Sequence, residues 1–240
     1  MAIRETLLKV NDKTVALIGG FSSTTHMTMT LLTEQGADVA LVGREQPELR
    51  RVVEHINDQR EIYPHYGRAG VIGAELKEVK EAPEIIARII HSFGRLDVLI
   101  DTLPCQSNCF PISKALVTEA FKFLTSRQKS RILFLRHHES LKALPADHED
   151  FQTWKQQLKS ESIAKNLTVN ELILGITEEY LLREYPKSSS IKTSFDEVKK
   201  QWPHAKILEP YDVASWLLYL ASPLSQALNG QKILLDYGTI

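Results

Sequence analysis

The stretch Thr14-Val15-Ala16-Leu17-Ile18-Gly19-Gly20-Phe21-Ser22-Ser23-Thr24-Thr25-His26 decides how the rest of the chain is read. A short apolar run closed by two glycines reads as a buried strand stopped by a turn. A helical pattern follows from Met27 to Glu34 and is ended by Gly36. Outward from there the same alternation repeats. Asp38 to Val42 is a second strand. Pro47 to Gln59 is an amphipathic helix with Leu49, Val52, Val53 and Ile56 on one face. Strands are expected at Arg68 to Gly73, Leu96 to Ile100, Ile132 to Leu135, Leu167 to Leu174 and Lys232 to Asp236. Helices are expected at Lys77 to Phe93, with an interruption at Pro83, and at Lys114 to Leu124, Phe151 to Lys165 and Tyr211 to Ala221. Strands this apolar, separated by helices, predict an α/β protein: one doubly wound domain over residues 1–240, with a mostly parallel sheet of about seven strands and helices on both faces.

The segment 178–210 breaks the rhythm. From Tyr180 to Pro210 it holds Pro186, Ser188, Ser189, Ser190 and two further prolines, and no clear strand. Such an insertion near the end of a doubly wound sheet is expected to be a substrate or lid loop, the bland alternative being a surface excursion without function.

The 240 residues are 43% hydrophobic and 25% charged, and 29 basic side chains against 30 acidic ones leave a net charge of −1. That balance provides no global field toward nucleic acid or an anionic membrane, so neither is expected as a partner. No apolar run reaches the roughly eighteen residues of a membrane span. The N-terminal MAIRETLLKVNDK is charged throughout and lacks the apolar core of a signal peptide, so a cytoplasmic protein is expected. Cys105 and Cys109 have no neighbouring Cys/His pair to complete a metal site, and without an export signal they are read as ordinary thiols.

The loop from Ile18 to His26 is the first candidate for chemistry. Backbone N–H groups at a helix start attract phosphate, and Gly19 and Gly20 let the chain turn tightly; Ser22, Ser23, Thr24 and Thr25 add hydroxyl donors. Gly43-Arg44 stands at the end of strand two, where doubly wound folds meet an adenosine ribose. An arginine there pairs with a 2′-phosphate, whereas a carboxylate would accept from a free 2′-hydroxyl, so Arg44 favours NADP over NAD. A solvated arginine after a strand is the plain alternative.

Four further segments carry a resemblance. They are Phe93-Gly94-Arg95-Leu96-Asp97-Val98-Leu99-Ile100, Leu167-Thr168-Val169-Asn170, Glu209-Pro210-Tyr211-Asp212-Val213-Ala214 with Leu220-Ala221-Ser222, and Asn229-Gly230-Gln231-Lys232-Ile233-Leu234-Leu235-Asp236. In order and spacing they resemble the short-chain dehydrogenases/reductases along nearly the whole chain. The resemblance implies a Rossmann-type fold, a nicotinamide cofactor, a small-molecule substrate and a homo-oligomer, dimer or tetramer.

Residue by residue, that likeness is partial. The family's first loop reads T-G-x-x-x-G-x-G; Gly20 matches its first glycine, and Thr24 and His26 stand at the other two. Asp101-Thr102-Leu103-Pro104 replaces N-N-A-G after strand four. The resemblance puts Gly20, Ser22, Ser23, Thr24, Arg44, Glu75, Lys155 and Thr177 at the cofactor, Glu75 beside the adenine and Lys155 on the nicotinamide ribose. The family's catalytic serine falls on His137, its asparagine on Asn108, and its Y-x-x-x-K pair on Phe151-Gln152-Thr153-Trp154-Lys155. The lysine is kept, but a benzyl side chain has no proton to give.

Three substitutes for the phenol stay open: His137 or His138, since imidazole titrates near neutrality; Tyr180 at the mouth of the insertion; or water. A histidine pair after a strand also serves as a plain polar cap, and Lys155 sits among lysines that commonly form a solvated helix face. Two functions follow: an oxidoreductase of a carbonyl or alcohol with an altered or impaired active site, or a catalytically silent protein that keeps the fold to bind a ligand or partner.

Overall fold

The computed structural model describes residues 8, 10–44, 46–103, 109–124, 129–138, 148–188 and 190–238. Seven strands form one sheet in the order β3-β2-β1-β4-β5-β6-β9, every pair parallel. The first half runs β1 (Thr14–Ile18), α1 (Ser23–Glu34), β2 (Asp38–Gly43), α2 (Pro47–Ile62), β3 (Ala69–Gly73), α3 (Ala82–Phe93) and β4 (Val98–Asp101). The second half runs α4 (Phe110–Leu124), β5 (Ser130–His137), α5 (His148–Ile163), β6 (Leu167–Leu174), an insertion, α8 (Pro210–Ala221) and β9 (Lys232–Leu235).

Side chains alternate across the sheet, as a period of two requires. Leu17, Leu41, Ile100, Leu133 and Leu172 pack with Met29 and Leu32 of α1, Leu49 of α2 and Val213 and Leu217 of α8. Their neighbours Ile18, Val42, Leu99, Ile132 and Val169 turn the other way, onto Ile86 of α3, Leu116 of α4 and Leu158 of α5. Each fully buried side chain of this kind contributes about 1.5–3 kcal/mol, which is why neither face is left to water.

The strands lie close to where the apolar runs put them, and the helix starts differ. Helix α1 begins one turn before Met27, because Ser22 Oγ accepts from the Thr25 N–H (3.1 Å) while Thr25 Oγ1 accepts from the Ser22 N–H (2.7 Å). That capping box satisfies two orphan donors and nucleates the helix earlier than its apolar stripe suggests. Pro83 interrupts nothing: a 3-10 turn at Val79–Glu81 leads into α3, and the proline sits in its first turn, where no N–H is missed.

The insertion corrects the expectation of an irregular loop. It folds as β7 (Ile176–Thr177), α6 (Glu178–Glu184), α7 (Ile191–Gln201) and β8 (Ile207–Leu208), with β7 and β8 pairing in parallel. Its own small core joins Ile176, Tyr180, Leu181, Val198 and Ala205, backed by Phe195 and Trp202. Two-residue strands escape any periodicity test, so the pairing was not visible in the sequence.

Asp101 closes β4 as a fully buried carboxyl. Its oxygens accept from Ser113 Oγ (2.5 Å) and the Leu103 N–H (3.0 Å), tying β4 to α4. Burial outweighs both bonds and pushes its pKa up to about 6. The unfolded chain titrates this group near 3.9, so the neutral acid is favoured by folding. The stability it contributes is complete below that value and is lost as pH rises through about 6. Asp101→Asn, which keeps the volume and both polar contacts, should flatten this part of the pH dependence. At pH 8 it should raise the denaturation midpoint by an amount worth up to ~3 kcal/mol, read from urea unfolding at pH 4.5 and 8.

Candidate functional site

The sheet order reverses between β1 and β4, and a crevice at the carboxyl ends of the strands is the consequence. Gly19 and Gly20 hold φ of +130° and +90°, values that favour glycine. A Cβ on Gly19 would lie 1.9 Å from Thr102 Oγ1, and one on Gly43 would lie 2.4 Å from Gly20 Cα. Gly43 therefore packs directly on the Gly20 backbone and Gly19 on the Thr102 side chain, and Gly20 faces open space.

A cleft of about 280 Å³ sits above β1, β5 and β6, lined by Gly20, Ser22, Thr24, Thr102, Leu135, His137, Leu174, Thr177, Glu179 and Arg183. A second hollow of about 250 Å³ continues from Gly19–Phe21 past Gly43 to Arg44, Gln46 and Glu75. The expected cofactor residues Gly20, Ser22, Thr24, Arg44, Glu75 and Thr177 thus line one continuous groove.

Lys155 is elsewhere. It is buried with Arg136 against the two oxygens of Glu171, a triad on the α5 side of the sheet, and does not line the cleft. Burial alone would push the Glu171 carboxyl up, but the Arg136 and Lys155 cations hold it below the usual carboxylate range. This corrects the expectation that Lys155 faces a nicotinamide ribose: a buried ammonium needs a counter-charge, and Glu171 supplies it. Phe151 lies in the same layer, its ring 5.3 Å from Phe134 and 5.7 Å from Phe110, with the Arg136 and Lys155 cations 5.3 and 5.4 Å from its centroid. Phe151 and Lys155 are thus both buried in the layer between α5 and the sheet.

His137 points the other way, into the cleft, because neighbours along a strand face opposite sides. Its Nε2 lies 3.2 Å from Thr177 Oγ1 and its Nδ1 lies 3.5 Å from an Arg183 Nη. Arginine only donates, so this geometry assigns Nδ1 as acceptor and the ring proton to Nε2. Thr177 also N-caps α6, accepting from the Tyr180 N–H at 3.1 Å. The Tyr180 ring packs 5.3 Å from the imidazole, but burial pushes its phenol up to about 12, the wrong direction for a group that must give up its proton. His138 donates its backbone N–H to Leu174 O (2.7 Å). Asn108 lies outside the described residues, as does Cys105; no group of three or more metal-ligating side chains occurs among those described.

Arg44 and Glu75 pair with each other at 3.0 Å, and Lys77 joins the same carboxylate at 3.0 Å. Hydrogen bonds from Lys77 and then Arg44 hold Glu75 below the usual range, on an exposed surface. Neither residue stands free for a nucleotide as the sequence suggested; each already has a partner from this chain.

The helix-start loop holds a residue that the sequence did not reveal. The Thr24 N–H (3.0 Å) and Ser23 Oγ (2.9 Å) both donate to Glu179 Oε1, from the first turn of α6. Burial would push this carboxyl up, but these bonds hold it below the usual range. Glu179 and Arg183 enter the site through tertiary packing and carry no local motif, whereas Thr102 belongs to the segment after strand four already singled out in the sequence. Arg136 and Glu171 did leave a signal, since they are charges inside otherwise apolar strands.

For a dinucleotide the fit is uneven. The hollow at Gly43 and Arg44 and the pocket at Thr102, His137 and Thr177 suit its two ends, with Gly20 leaving room for backbone approach. Between them, the donors that would take the diphosphate are held by Glu179.

No protein-family model matches the chain. Among curated proteins it is similar to the diacetyl reductase ((S)-acetoin forming) of Staphylococcus epidermidis, 22% identical over 198 residues, 70% of this chain and 77% of that protein. Among solved structures it is similar to the L-sorbose reductase of Gluconobacter frateurii complexed with NADPH and L-sorbose: TM-score 0.77, 14% identity, 97% and 98% of the two chains. It is also similar to a short chain oxidoreductase of Pseudomonas aeruginosa PAO1 containing an atypical catalytic center: TM-score 0.73, 20% identity, 96% and 98% covered. The fold is that of the short-chain dehydrogenases/reductases, at sequence identities of 14–22% to these proteins.

The triad makes a prediction. Glu171→Gln strands two buried cations and should cost about 3–5 kcal/mol in urea unfolding, more than Lys155→Met, which leaves Glu171 paired with Arg136. NADPH affinity, measured by calorimetry, should be unmoved by Lys155→Met; a large loss would return this residue to the cofactor.

Proposed function

We propose that this protein is a nicotinamide-dinucleotide oxidoreductase acting on a small carbonyl or alcohol substrate, with His137 as its acid/base. The observation that carries this reading is the imidazole lining the cleft, its Nε2 3.2 Å from Thr177 Oγ1. The likeness to a diacetyl reductase and to an L-sorbose reductase bound to NADPH supports a reductive role. The dinucleotide, when bound, supplies the hydride. The chain's own part is to exchange a proton with the substrate oxygen, and His137 is the group placed to do so, with Leu135 and Leu174 giving the pocket an apolar wall. Arg44 and Lys77 at the adenosine end favour NADP: a 2′-phosphate would take over the positive charge that Glu75 now balances.

We further take the protein to be a cytoplasmic homo-oligomer. No helix among the described residues is long and apolar enough to cross a membrane. Trp216 on α8, Leu234 on edge strand β9 and Tyr237 beyond it are large exposed apolar side chains.

A second reading, a silent ligand- or partner-binding protein, is favoured by one feature. The tyrosine and lysine positions of the family are both consumed by packing, at Phe151 and Lys155.

His137→Ala separates the two. The enzyme reading expects kcat to fall ~10²–10⁴-fold and the pH–rate profile to lose its neutral limb, with NADPH affinity retained. If wild type shows no NADPH oxidation over a broad carbonyl panel, the silent reading stands instead.

A further inference from the structure

We propose that Glu179 is a displaceable latch: its carboxylate sits in the seat of an incoming diphosphate at the start of α1, and binding of that anion requires it to leave. This rests on the dinucleotide reading above for the identity of the natural anion, but not for the latch itself.

Three observations converge on it. First, Glu179 Oε1 accepts from the Thr24 N–H at 3.0 Å and from Ser23 Oγ at 2.9 Å, so one carboxylate oxygen holds two donors at the start of α1, and Thr24 lines the cleft. The Thr25 N–H is already taken by Ser22 Oγ, so the Thr24 and Thr25 N–H groups are both met from within the chain. Second, α1 has no acidic side chain in its own first turn. The positive end of this 12-residue helix is therefore met by a carboxylate that arrives from the insertion, 155 positions along the chain. Third, Glu179 lines the same 280 Å³ cleft as Gly20, Ser22 and Thr24, at the only place among those residues where a fixed negative charge enters it.

A carboxylate and a phosphate use such a site in the same way, through acceptor oxygens and negative charge, and both cannot hold the same donors at once. Displacement therefore trades one anion for another at little loss of hydrogen bonding. It also reaches the far end of the cleft. Glu179 opens α6, whose Tyr180 packs on His137 and whose Arg183 approaches His137 Nδ1. Releasing Glu179 loosens the helix that frames the imidazole, so arrival of the anion and exposure of His137 are coupled.

The test uses inorganic pyrophosphate and NADPH, each titrated by calorimetry into wild type, Glu179→Gln and Glu179→Ala. The glutamine variant keeps the volume and an acceptor for the Thr24 N–H, so a folded protein is in hand even if the alanine variant fails. Both variants should bind pyrophosphate roughly tenfold tighter than wild type, the scale of one charge at a helix start. Hydrogen exchange should show residues 178–184 of wild type exchanging faster when pyrophosphate saturates it. Tighter pyrophosphate binding with no NADPH binding upholds the latch and removes the dinucleotide reading. Equal NADPH affinity in wild type and variants upholds that reading and overturns the latch. The latch is also overturned if pyrophosphate binds folded Glu179→Gln no better than wild type, or binds neither.

Discussion

The approach of three strand ends through glycine governs this molecule. Gly19 against Thr102 and Gly43 against Gly20 leave no room for a Cβ at either contact. Because β1 can press against the ends of β2 and β4 in this way, the loop after β1 turns at once into α1 and the start of that helix points into the crevice. The groove from Arg44 to His137, the seat at Ser23 and Thr24, and the line that α6 must take over them all follow from that contact. Larger residues there would hold the strand ends apart and close the groove from below.

The alternation of side chains along β5 then divides the chemistry. Arg136 and His137 are neighbours in sequence but serve opposite layers. Arg136 turns toward α5, where it shares Glu171 with Lys155 and covers the Phe151 ring; His137 turns into the cleft. A buried lysine is tolerable only beside a counter-charge, and once Glu171 occupies β6 the ammonium is drawn to it. The aromatic cluster of Phe110, Phe134, Phe151 and Trp154 completes that layer. The layer that holds Phe151 and Lys155 is thus core, while the opposite face of β5 presents His137 to the cleft.

The insertion connects the two ends of the groove. Its small core anchors α6 through Tyr180 and Leu181, while Glu179 and Arg183 of the same helix reach the start of α1 and the imidazole. One short helix therefore has contacts at both ends of the cleft.

The sequence alone determined the architecture: seven apolar runs at regular spacing bury both faces of a parallel sheet, and period and burial are local properties. It also put Gly20, Ser22, Thr24, His137 and Thr177 in one cleft, because loops at the carboxyl ends of successive parallel strands must meet there. Arg136 and Glu171 went unremarked in the sequence: the expected fifth strand stopped at Leu135, and pairing between charges of β5 and β6 has no local pattern. What only the tertiary structure decided was which charge meets which. Lys155 turned to Glu171 rather than to the groove, Arg44 to Glu75, and Glu179 to the start of α1, 155 positions away. Ion pairing depends on distances across the fold and on how much water is excluded, and neither is written in the spacing of residues along the chain.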